Sequence, residues 1–200
     1  EKTDAGSYEI EIILDGNHKW ADGTDGKLTW EIKKAQSNTV TDLIMDGWTY
    51  GGAASEPTAK ATFGTPEFTY SDSADGVYTS VKPTNAGTYY VKAAVADSSN
   101  YPSAELVHTF TIAQAQPVIE SPSASAVRSG NELSKSVLSG GKATGVDGAE
   151  LEGTFSWKDG TEIMNTVGIT KRTAVFEPTD SNYKTVEFEI ELTVRTYSGN

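Results

Sequence analysis

Few side chains in these 200 residues could do chemistry, and each group suggests a different kind. The imidazoles are His18 and His108, and there is no cysteine. That removes thiolate zinc sites, cysteine nucleophiles and disulfide staples together. His18 is expected in a loop beside Trp20, and His108 at a partly buried strand position, so a metal or catalytic pair would need the two to converge from separate parts of the chain. A glycosidase needs two carboxyls facing each other across about 5 to 9 Å. Glu187, Glu189 and Glu191 instead alternate along one expected strand, which places them together on a solvated face. Calcium would want several oxygens on a tight loop. Asp22, Thr24 and Asp25 in "ADGTDGK", and Asp72 and Asp75 in "SDSADG", offer such oxygens, although neither stretch has the closing Glu of the roughly twelve-residue EF-hand loop. Trp48 and Tyr50 in "DGWTYGGA", together with Trp20, could stack on a sugar if their rings were exposed; the competing reading covers the end of a core with them.

Positioning of these residues depends on an internal echo. Gly6, Gly87 and Gly168 each stand 81 positions after the one before. The segments "NHKW", "SSNY" and "DSNY" follow, ending at Trp20, Tyr101 and Tyr183. Trp30 and Ile32 match Phe110 and Ile112, and then Leu192 and Val194, while His108 matches Leu28 and Ile190. Thr3 to Gln36 therefore reads as the second half of a module of which this chain carries no first half, and two whole modules come after it. The expected organisation is 1–36 as a hairpin-like half repeat, 37–116 as one module and 117–200 as another, with boundaries at "KKAQ" and "QAQP". Pro117 fixes φ just past the second boundary.

Within each copy the apolar residues alternate. Tyr8, Ile10, Ile12 and Leu14 do so in the first, Tyr89, Val91, Ala93 and Val95 in the second, and Val186 through Val194 in the third. This is the period-2 pattern of half-buried strands. Asp-Gly pairs at Asp15, Asp22, Asp25, Asp75, Asp147 and Asp159 punctuate the runs as turns, and Asn100 and Asn182 are expected at a corner where asparagine closes turns and tolerates αL geometry. Helical spacing is hard to find. The fold class is all-β, with small antiparallel sandwiches in tandem. Trp30 and Trp157 are expected in cores. An isolated hairpin is marginal in water, so Ser7 to Leu14 and Lys27 to Lys34 must dock on a partner sheet, be completed by another chain, or fray.

Composition narrows the partners. A net charge of −12, spread over all three copies, repels phosphate backbones and anionic lipid, which argues against nucleic acid and membrane surfaces. No stretch approaches the roughly 20 apolar residues of a membrane span. Glu1 is not preceded by a charged and apolar leader, so a mature protein or a fragment is expected.

The stretches "AGTYYVKAAVADSSNY...HTFTIAQAQ" and "GTFSWKDG...FEPTDSNYKTVEFEIELTV" resemble the Ig-like repeat modules, including the type called MBG, of very large surface proteins from Gram-positive and related bacteria. The resemblance covers most of the chain and rests on fold-determining positions. It implies tandem Ig-like sandwiches in an extracellular, cell-surface protein, with stalk or adhesion roles and with no cofactor and no catalytic residue to transfer. Its implied partners are host or cell-wall glycans or surface proteins. The third copy departs from it, with Thr170 where Tyr8 and Tyr89 stand. Two readings follow: a noncatalytic spacer or adhesion segment, and a carbohydrate-binding module for mucin or cell-wall glycans using Trp48, Tyr50 or Trp20.

Overall fold

The computed structural model describes residues 1–21, 23 and 25–196. Among them the strands follow in the order β1 (Gly6–Glu11), β2 (Lys27–Ile32), β3 (Val40–Ile44), β4 (Trp48–Thr49), β5 (Thr58–Ala61), β6 (Glu67–Ser71), β7 (Gly87–Val95), β8 (Ala104–Ala113), β9 (Val118–Glu120), β10 (Ser123–Ala124), β11 (Val127–Arg128), β12 (Leu138–Ser139), β13 (Lys142–Thr144), β14 (Gly153–Trp157), β15 (Gly168–Pro178) and β16 (Val186–Arg195). One 3-10 turn at Leu133–Lys135 is the helical exception. The fold is all-β and sandwich-like, as the alternation requires.

Two compact units divide the chain. The first holds Glu1–Met45, Glu56–Lys82 and Tyr90–Thr109; the second holds Asp46–Ser55, Pro83–Tyr89 and Phe110–Asn200. The chain passes between them within β7 and β8, and Gln36 lies inside the first unit and Gln116 inside the second.

In the first unit β1 and β2 pair antiparallel, with Tyr8 opposite Trp30 and Ile10 opposite Leu28. Strict alternation puts these four on one face and Ser7, Glu9, Glu11, Lys27, Thr29 and Glu31 on the other. β3 pairs with β5, slipping register between Thr41 and Ile44. Asp42 sits in that slip with φ of 53°, and it is bonded by Lys60 Nζ at 2.9 Å. β6 pairs antiparallel with β7 from Glu67 opposite Ala94 to Ser71 opposite Tyr90. Val40, Leu43, Met45, Tyr70, Val91, Ala93 and Val95 are the buried apolar residues of this unit.

The second unit carries the four-stranded sheet β11-β16-β15-β14, the small pairs β10-β12 and β9-β13, and β4 beside the end of β8. Its longest ladder joins β15 to β16 from Gly168 opposite Val194 to Phe176 opposite Val186. Val127, Leu133, Met164, Leu192 and Val194 form its core cluster, with Ala124 and Trp157 packed against it. Trp157 therefore does sit at the core, and its indole N–H donates to the Ser136 carbonyl at 2.8 Å. Two short strand pairs among the described residues depart from the antiparallel rule, and the isolated bridge between Ala115 and Tyr183 is parallel as well. β4 runs parallel to β8, with Trp48 opposite Ile112, and β11 runs parallel to β16, with Val127 opposite Val194.

Two expectations about burial are corrected. Trp30 is not a core residue but 40% exposed, on a hairpin face where Ile10 and Leu28 are exposed as well. His108 is exposed rather than partly buried. Every β8 residue from Glu105 to Thr109 is exposed, whichever face it is on, so alternation there no longer separates inside from outside.

Candidate functional site

Asn100 and Asn182 organise the same construction twice, and it begins with a turn two residues upstream of each. Ser98 Oγ accepts the N–H groups of Asn100 and Tyr101, both at 3.2 Å. Asp180 Oδ1 accepts the N–H of Asn182 at 2.9 Å, and the Tyr183 N–H donates to the Asp180 carbonyl at 3.1 Å. A short oxygen-bearing side chain at that position is what closes such a turn. Since Ser98 and Asp180 do the closing, the asparagine side chains are left to reach elsewhere. Neither asparagine adopts positive φ; Asp42 is the non-glycine residue that does so among those described. The αL geometry that asparagine tolerates is thus not used at either position.

What the asparagines reach is the backbone of the preceding copy. Asn100 Oδ1 accepts the Ala5 N–H at 2.6 Å, just before Gly6, and Asn100 Nδ2 donates to Asp4 Oδ1 at 2.9 Å. Asn182 Oδ1 accepts the Ala86 N–H at 2.7 Å, just before Gly87, and its Nδ2 donates to Asn85 Oδ1 at 3.4 Å. The linkers join in. The Ala35 N–H donates to the Asn100 carbonyl at 2.8 Å, and the Ala115 N–H donates to the Asn182 carbonyl at 2.9 Å. Lys34 Nζ meets Asp97 Oδ1 at 2.7 Å, while Gln114 Nε2 donates to the Ser181 carbonyl at 2.8 Å. One asparagine thus fastens both ends of the preceding copy: its side-chain amide, able to accept and donate at once, holds the start of the strand pair, and its main-chain carbonyl holds the exit.

The aromatic after each asparagine turns the other way. Tyr101 stacks on Phe63 with centroids 5.9 Å apart and lies over Gly64, where an added Cβ would come within 2.7 Å of its hydroxyl oxygen. Tyr183 is buried over Gly145, where a Cβ would come within 2.5 Å of its hydroxyl oxygen, and that oxygen accepts the Val146 N–H at 3.1 Å. Gly64 and Gly145 are themselves 81 positions apart, so the bare floor under the tyrosine belongs to the repeat.

The residues singled out for binding lie as follows. The Trp48 ring stacks on Phe110, with centroids 5.5 Å apart and 19° between planes. Tyr50 meets Tyr183 edge-on at 5.5 Å, and burial raises its phenol above the ordinary value of 10.0. Both are half-buried. Trp20, also half-buried, lies on Gly26 and borders a recess of about 380 Å³ with Leu14, His18, Lys19 and Gly23. His18 Nδ1 is bonded to Asp15 Oδ1, and this bond holds the Asp15 carboxyl below its ordinary value of 3.8. His108, in β8, is not among the residues that line that recess.

Of the calcium candidates, Asp22 and Thr24 lie outside the described residues. Asp25 Oδ1 accepts the Lys27 N–H at 3.2 Å, the work of a turn residue, and Asp72 and Asp75 are exposed. Among the described residues no three His, Cys, Asp or Glu side chains gather as a metal ligand set. Glu187, Glu189 and Glu191 share an exposed face of β16, and Glu187 pairs with Lys158 Nζ at 2.6 Å. The third copy's departure from the repeat has its own logic. Arg172, at the position of Ile10 and Val91, grips both Glu162 oxygens at 2.7 Å and donates to Thr170 Oγ1, also at 2.7 Å. The guanidinium bonds hold Glu162 below its ordinary value of 4.5. That pair's contribution is in place above 4.5 and is lost as pH falls through the lowered value.

The asparagine role was legible only in part. The recurrence of Asn before an aromatic was visible; the direction of its side chain was not. The signal that could have disclosed it is that Ser98 and Asp180, rather than the asparagines, hold the turn-closing position in both copies.

No family model matches the chain, and no curated protein is significantly similar to it. Among solved structures the chain is similar to Drosophila N-cadherin EC1-3, at 10% identity and a TM-score of 0.26, over 86% of this chain and 74% of that one. It is also similar to Sidekick-1 immunoglobulin domains 1-5, at 12% identity and a TM-score of 0.23, over 96% of this chain and 56% of that one.

Proposed function

We propose that this chain is a noncatalytic repeat segment of an extracellular bacterial surface protein, serving as a spacer or adhesion module. The three sequence copies, 1–36, 37–116 and 117–200, are its working parts. The observation that supports this reading is the doubled asparagine corner. Asn100 and Asn182 spend their side-chain hydrogen bonds on the preceding copy, and their place at the corner recurs with the repeat. A segment whose role is to transmit position along a chain of modules needs such joints. A separate feature, the Trp20 recess with His18 and Lys19, favours glycan binding as a second reading, since a partly open indole beside polar side chains suits a sugar face.

Screening the 200-residue chain against mucin-type and cell-wall glycans distinguishes the two. The spacer reading expects no saturable binding. Saturable binding that is lost on Trp20→Ala, or on Trp48→Ala, would replace it with the glycan reading and assign the contact.

A further inference from the structure

The face of the β1-β2 hairpin formed by Tyr8, Ile10, Leu28 and Trp30 is apolar and open, with Ile10 49%, Leu28 61% and Trp30 40% exposed. The opposite face carries Glu9, Glu11, Lys27 and Glu31, and Lys27 Nζ is bonded to Glu9 Oε1 at 3.0 Å. A hairpin this clearly two-sided is shaped to be covered on one side.

The chain itself shows twice what covers this face. Trp30 corresponds to Phe110 and Leu192, which are 4% and 3% exposed, and Ile32 corresponds to Ile112 and Val194, each 1% exposed. The aromatic pair is already set in its covered geometry: Tyr8 and Trp30 lie 5.7 Å apart at 30°, and Tyr89 and Phe110 lie 5.9 Å apart at 32°. In the second copy the cover is β4, parallel to β8, with Trp48 opposite Ile112 and its ring on Phe110. Gly47 lets that strand approach, since a Cβ there would lie 2.4 Å from the Thr111 carbonyl oxygen. In the third copy the cover is β11, parallel to β16, with Val127 opposite Val194 and packed with Leu133 and Met164.

We infer that the β1-β2 hairpin is a binding face for a polypeptide segment of the sequence class of residues 37–82, the leading half of a repeat. That segment seats a short strand parallel to β2, sets an apolar residue opposite Ile32, and lays an aromatic or branched side chain on Trp30. The inference does not depend on the spacer reading, because a glycan-binding chain would need the same cover.

The test extends the full 200-residue chain at its amino terminus by a second copy of residues 37–81, so that Glu1 takes the place of Lys82 in the repeat, and follows amide hydrogen exchange. Exchange in residues 6–12 and 27–32 is expected to slow by about tenfold or more relative to the unextended chain. Trp30→Asp in the hairpin, or Trp48→Asp in the added copy alone, should each abolish the slowing while leaving exchange in β15 and β16 unchanged. An extension that produces no slowing overturns the inference. Protection of the hairpin in the unextended chain that grows with protein concentration also overturns it, by assigning the face to a second copy of the whole chain.

Discussion

The two asparagine corners are built to one plan and differ in their second partners. At the first, Asn100 holds the Ala5 amide and donates to the Asp4 carboxylate at 2.9 Å; at the second, Asn182 holds the Ala86 amide and reaches the Asn85 amide oxygen at 3.4 Å. A charged acceptor at short range is the stronger partner. The backbone reverses that advantage. The Lys184 N–H donates to the Ala115 carbonyl at 2.9 Å, but the matching residue at the first corner is Pro102, which has no N–H to give. Pro102 is held instead through its carbonyl, which accepts from Asn38 Nδ2 at 3.2 Å. One corner leans on side chains at the surface, the other on a second main-chain bond and a buried tyrosine. The joint survives exchange of its auxiliary contacts as long as the central asparagine keeps its acceptor and donor in place.

The largest expected effect separates the two tyrosines. Tyr183 is 5% exposed, fills the floor over Gly145 and meets Tyr50, whereas Tyr101 is half-buried over Gly64. Tyr183→Ala should cost about 3 kcal/mol or more, as for a buried aromatic, and Tyr101→Ala about half of that. Denaturant unfolding of each variant measures it, and equal losses would break the contrast. Next come the asparagines. Replacing either by alanine leaves the Ala5 or Ala86 amide without its acceptor, at about 1 to 2 kcal/mol. The variants should differ in where they open: Asn100→Ala should expose the Ala5 and Ala35 amides to exchange more than Asn182→Ala exposes Ala86 and Ala115, because the second corner retains the Lys184 bond. Trypsin cleavage after Lys34 should quicken in Asn100→Ala and stay slow in Asn182→Ala.

How much of this was readable from residues alone follows from what period and turn chemistry encode. Alternation placed β1, β7 and β16, since a one-residue slip would turn every buried side chain outward. Asp25-Gly26 and Asp147-Gly148 are turns with positive φ at glycine, 72° and 80°. Alternation is silent about what lies over a face. It marked Trp30 and Phe110 as equivalent, yet one is open and the other covered, because cover comes from β4, a two-residue strand with no period to detect. The parallel pairing of β4 and β11 escaped for the same reason. The asparagines were found and misassigned, since an Asn in a turn has two uses, and only the presence of Ser98 and Asp180 at the closing position decides between them.

The smallest effects come from interchanging the auxiliary contacts. Pro102→Lys supplies the missing N–H, and the bond it can make to the Ala35 carbonyl is worth about 0.5 to 1.5 kcal/mol. The lost rigidity of proline in the unfolded chain returns about 0.4 to 1 kcal/mol of that, so the midpoint of unfolding should hardly move. The informative readout is a new slowly exchanging amide at position 102; its absence would mean that the first linker follows a different path from the second. Asp4→Asn copies the second corner's side-chain pairing into the first. Asp4 is exposed, so replacing its charge should cost a few tenths of a kcal/mol at most, in the range of surface charge contacts. Salt gives the sharper discrimination. Raising ionic strength should weaken the Lys34–Asp97 ion pair in the wild type and in Asp4→Asn alike, because that pair joins two exposed charges whereas the Asn100 amide that meets Asp4 carries none to screen. A salt response larger in the wild type than in Asp4→Asn would instead place charge coupling at Asp4, and the two corners would then differ through the asparagine's partner as well as through their linkers.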